Sequence, residues 1–79
     1  MENVKQKGIE LGWQIVEPNK GCISFVRLNN RLNVFPSSLK FAISANGIQK
    51  YGQADYLTDF IELLEMDSSE FKKCLDHIR

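Results

Sequence analysis

Two cysteines, Cys22 and Cys74, are too few and too irregularly placed to form a disulfide framework, and they read as reduced thiols. One histidine, His77, lies three residues from Cys74 with no second pair at zinc-type spacing, so no metal site is expected. No Gly-rich phosphate loop surrounds Gly47 or Gly52, and Cys22 shows no nucleophile signature. These absences remove the common catalytic and cofactor-dependent classes, and the expectation is a protein that is not an enzyme and carries no cofactor. No apolar stretch is long enough to cross a membrane, and MENVKQKG lacks the apolar run of a secretory signal, which points to the cytoplasm. Net charge is also lacking, although the two halves differ. Residues 1–51 carry seven Lys and Arg against three Glu, and residues 52–79 carry three basic against seven acidic residues. Such polarity marks either an electrostatic partner surface or an acidic helix turned to solvent.

What the chain does have is alternation. From Cys22 to Ala45 apolar and polar residues alternate with period two, broken at Asn29-Asn30 and at Ser37-Ser38. A hairpin at Asn29-Asn30 sets Phe25 opposite Val34, and one at Ser37-Ser38 sets Val34 opposite Phe41. Opposed residues share a face, so Ile23, Phe25, Leu32, Val34, Phe41 and Ile43 form one apolar surface. Trp13 to Glu17 reads as a preceding strand, joined through the turn Pro18-Asn19-Lys20-Gly21. Asn46-Gly47 is a strong two-residue hairpin signal leading into a fifth strand, Ile48 to Tyr51. Helical readings flank the meander. Asn3 can cap a short helix with Val4, Gly8 and Leu11 on one side, ended by Gly12 in a left-handed conformation.

After Gly52 the period becomes helical. Tyr56, Leu57, Phe60, Ile61 and Leu64 make a stripe, with Asp55, Asp59, Glu62 and Glu65 on the other side as a solvated acidic face. Asp67-Ser68-Ser69-Glu70 has the pattern of a capping box opening a last helix with Phe71, Leu75 and Ile78. The expected fold class is α+β, a single small domain spanning 1–79. It has a short N-terminal helix, a four- to five-stranded antiparallel meander and two C-terminal helices, the first packed on one sheet face.

The leading helix, Gly12-Trp13, a strand, Gly21 and a second strand with Phe25 resemble the layout of HicA-type toxins and other domains of the double-stranded-RNA-binding shape. Those toxins carry a histidine after the corresponding glycine, where this chain has Cys22 and Ile23. The likeness therefore implies a layout and no catalytic residue, and it does not account for the later strands.

The second sheet face receives Ser24, Val26, Arg31, Asn33, Phe35, Lys40, Ala42, Ser44, Gln49 and Tyr51. Trp13 and Ile15 join them unless a bulge in the first turn moves both to the core side. Aromatic rings can stack on bases while cations meet phosphates, so Trp13, Arg31, Asn33, Phe35, Lys40 and Tyr51 form a candidate site for single-stranded RNA or DNA. Other readings stay open. The N-terminal helix can cover this face, or a partner protein or a second copy can pack on it as a homodimer.

Overall fold

The computed structural model describes residues 1–45, 47–66, 69–70 and 73. The chain runs α1 (Glu2–Glu10), β1 (Gln14–Asn19), β2 (Cys22–Arg27), β3 (Asn30–Phe35), β4 (Lys40–Ala45), β5 (Ile48–Gln53) and α2 (Asp59–Leu64). The five strands form one antiparallel meander in sequence order, with the helices outside it in sequence. The final helix expected from Asp67 onward lies largely outside the described residues.

Helix α1 begins at Glu2 with Met1 in the cap position, so Asn3 lies inside the helix and is not its cap. Its other end is built by Gly12, whose φ of 92° is costly for residues with a Cβ. The Gly12 N–H donates to the Ile9 carbonyl at 3.0 Å and the Trp13 N–H to the Gly8 carbonyl at 2.9 Å. That pair of bonds is the Schellman arrangement, and it turns the chain directly into β1. Val4 and Gly8 are the buried residues of α1. Gly8 lies so close to the sheet that a Cβ there would fall 2.8 Å from the ring of Phe25.

The six apolar sheet residues expected to share a face do so, and all are buried. Phe60, Leu63 and Leu64 of α2 and Val4 of α1 close the same cluster, with the Phe60 ring edge-on to Phe41 at 6.3 Å. Both helices therefore cover one face of the sheet. The reading in which α1 covers the second face is overturned by the burial of Val4 and Gly8 against the core side.

Three local expectations need correction. The β2–β3 turn is Leu28-Asn29, one residue earlier than expected, so Phe25 faces Leu32 and Ile23 faces Val34. A slip of two residues keeps every side chain on its face, so alternation alone cannot detect it. This register extends the ladder by the pairs Arg27↔Asn30 and Asn30↔Ala45, at the expense of Leu28 at a φ of 54°. Secondly, α2 starts at Asp59. The Asp59 carboxylate accepts the backbone N–H groups of Asp55 and Tyr56 at 2.9 and 3.0 Å, which holds residues 55–58 in a turn and leaves Tyr56 exposed. The buried stripe becomes Phe60, Leu63 and Leu64.

The third correction concerns Trp13. The β1–β2 register shifts between Val16 and Asn19, a bulge that places Ile15 opposite Phe25 on the core side. Trp13 follows it there and is 3% exposed. Its indole N–H donates to the Leu64 carbonyl at 2.8 Å. The Arg27 guanidinium stacks on the ring at 4.3 Å and donates to the carbonyls of Leu11 and Met66. These acceptors lie at the C-terminal ends of α1 and α2, where carbonyls lack helical partners and the helix dipole favours a cation. Trp13 and Arg27 thus tie both helix ends to the sheet.

Candidate functional site

The second face is built from alternate strand residues and has three cross-strand rows. One row holds Gln14, Val26, Arg31, Ser44 and Gln49, and the central row holds Val16, Ser24, Asn33, Ala42 and Tyr51. The third holds Phe35, Lys40 and Gln53. No described helix lies over these rows. None of these residues is Asp or Glu, so Arg31 and Lys40 face outward with no carboxylate among them.

Of the residues expected at a nucleic-acid site, five share this face: Arg31, Asn33, Phe35, Lys40 and Tyr51. Trp13 does not, because the bulge in β1 carries it into the core. Arg31, Asn33 and Phe35 stand in line along β3, and Lys40 sits directly across from Phe35. Arg31 and Phe35 are four residues apart, about 13 Å along an extended strand. Tyr51 is 67% exposed on edge strand β5, across Ala42 from Asn33. Ala42 and Ser24 are small and almost fully buried. They form a low floor between the longer side chains, so the face has relief.

Polar contacts orient parts of it. The Ser24 hydroxyl donates to Asn33 Oδ1 at 2.6 Å, which satisfies the buried hydroxyl and leaves the Asn33 Nδ2 donors for the outer side. Gln49 Nε2 donates to the Tyr51 hydroxyl at 3.1 Å. Gln53 Nε2 donates to the carbonyls of Ser38 and Ala54, anchoring the far corner of the sheet. Sequence reasoning missed Gln14 and Val16, which take the places expected for Trp13 and Ile15. The absence of acidic residues from these strand positions was legible in principle, since it follows once the strand parity is known.

Elsewhere, a cleft of about 170 Å³ lies between Phe41, Gln53, Ala54, Asp55, Asp59, Glu62, Leu63 and Met66. Asp59 is already engaged with two backbone N–H groups there. Among the described residues no group of three or more His, Cys, Asp or Glu is placed to hold a metal ion. Cys22 is buried at the start of β2, and Cys74 and His77 lie outside the described residues. No described helix is long and apolar enough to cross a membrane. No protein-family model, curated protein or solved structure matches the chain.

Proposed function

We propose that this protein is a non-enzymatic binding module that holds single-stranded RNA or DNA on the open sheet face. The observation that supports it most is the composition of that face: Phe35 and Tyr51, Arg31 and Lys40, the oriented amide of Asn33, and no carboxylate among its described strand residues. Base stacking on rings is worth about 1–3 kcal/mol per base and tolerates any sequence, because every base has a π face. A surface of one sign attracts phosphates at long range, and acidic residues there would cancel the attraction. In this reading Phe35 and Tyr51 are the stacking platforms, Arg31 and Lys40 meet phosphates, and Asn33 bonds to a base edge.

The test is a titration of a labelled single-stranded oligonucleotide at two salt concentrations. Phe35 is only half-buried, so Phe35→Ala should leave the fold intact and weaken binding by about 1–3 kcal/mol. Arg31→Ala and Lys40→Ala should each flatten the salt dependence by about 0.7 in log–log slope, the value for one single-strand phosphate contact. Absence of binding at low salt by the folded protein refutes the proposal.

A further inference from the structure

The two edges of the sheet are treated differently. Edge β1 is defended. Pro18 offers no N–H, a bulge interrupts its ladder between Val16 and Asn19, and Lys5 of α1 bonds Glu17 on its flank at 3.2 Å. Edge β5 has neither a proline nor a bulge, and its one charged residue is Lys50. The strand pairs with β4 without interruption from Ala45↔Ile48 to Lys40↔Gln53. A hairpin that closes on Ala45 and Ile48 bonds alternate residues inward, and the Ala54 N–H to the Leu39 carbonyl at 2.7 Å continues that set. The outward N–H and C=O groups therefore belong to Gln49, Tyr51 and Gln53. They have no backbone partner among the described residues. Ile48 and Tyr51 on this strand are 53% and 67% exposed.

We propose that β5 pairs antiparallel with β5 of a second copy about a twofold axis at Tyr51. The strand's own side chains select this partner and this register. With the axis at Tyr51, Gln49 meets Gln53 of the second copy and the outward backbone groups of each strand are matched. Lys50 meets Gly52 of the second copy, a position with no side chain. With the axis at Lys50 the two ammonium groups would stand opposite one another, which cross-strand pairing disfavours. The twofold then runs perpendicular to the sheet, so both open faces lie on one side. The result is a continuous surface of two five-stranded halves without acidic strand residues, with the Tyr51 rings adjacent at its centre. This inference does not rest on the nucleic-acid reading, since it follows from edge geometry.

Analytical ultracentrifugation over a concentration series tests it. The expected mass rises from 9.1 kDa toward twice that value. Tyr51→Lys brings like charges together at the axis, and Gln49→Pro removes an outward N–H without touching the β4 ladder; each should return the protein to the monomer with its circular dichroism unchanged. Across the axis the Tyr51 Cα atoms lie about 5.5 Å apart, within disulfide range. Tyr51→Cys should therefore cross-link under oxidation, and Gln53→Cys, far from its own copy, should not. A mass of 9.1 kDa at every concentration overturns the proposal. So does a dimer that persists in folded Tyr51→Lys, or one that cross-links equally through either cysteine.

Discussion

Gly8→Ala separates local helix preference from tertiary packing, because the two predict opposite signs. In an exposed helix interior the substitution stabilises by about 0.8–1 kcal/mol, since glycine loses more backbone entropy on folding. Here the new Cβ falls 2.8 Å from two ring carbons of Phe25 and 3.5 Å from a Leu64 methyl. The Phe25 ring is fully buried beneath α1 and has no solvent to turn into. The helix must lift, and a gap of about 0.5–1 Å already forfeits a quarter to a half of each dispersion contact beneath it. Overpacking of this kind costs about 1–3 kcal/mol, so the net expectation is a loss of about 1 kcal/mol, or about 4–8 °C in Tm. Urea unfolding followed by the fluorescence of the buried Trp13 measures it. In a Phe25→Leu background the clash is relieved, and the double-mutant cycle should show positive coupling. A gain of about 1 kcal/mol from Gly8→Ala alone would refute the close approach of α1 to the sheet.

Phe60→Ala removes a fully buried ring at the contact of α2 with Phe41 and should cost about 3–5 kcal/mol in chemical denaturation; a loss under about 1 kcal/mol would mean that α2 does not cover the core. Leu28→Gly replaces an exposed side chain held at a φ of 54° and should stabilise by up to about 1 kcal/mol, with destabilisation counting against the Leu28-Asn29 turn. Trp13→Phe removes the donor to the Leu64 carbonyl and leaves that acceptor buried, an expected loss of about 1–3 kcal/mol with oligonucleotide binding unchanged once the protein is folded. In the native protein, oligonucleotide should leave Trp13 emission nearly constant, because the indole is shielded from the open face; strong quenching would contradict its placement.

Alternation from Ile23 to Ile43 was enough to assign the core face, because strand periodicity is local and a buried face admits few exceptions. The same pattern gave the side on which Arg31, Asn33, Phe35 and Lys40 stand, and the Asn46-Gly47 turn signal added the fifth strand with Tyr51. Gly12 was legible as a helix end for a similarly local reason, the left-handed backbone that glycine alone adopts freely. Tertiary structure decided what periodicity cannot see. A slip of two residues preserves every face, so the Leu28-Asn29 turn depended on pairings of Asn30 with Arg27 and Ala45 that reach across three strands. The start of α2 depended on which backbone groups the Asp59 carboxylate captured. The side taken by Trp13 depended on one bulge. An extra residue in an edge strand reverses the parity of everything before it, and its compensation comes from far along the chain. The Leu64 carbonyl that accepts the indole N–H is 51 residues away, and the Arg27 cation stacked on the ring reaches the ends of both helices. Those partners come together only once the sheet, α1 and α2 have packed, so the sequence near Trp13 carries no trace of them.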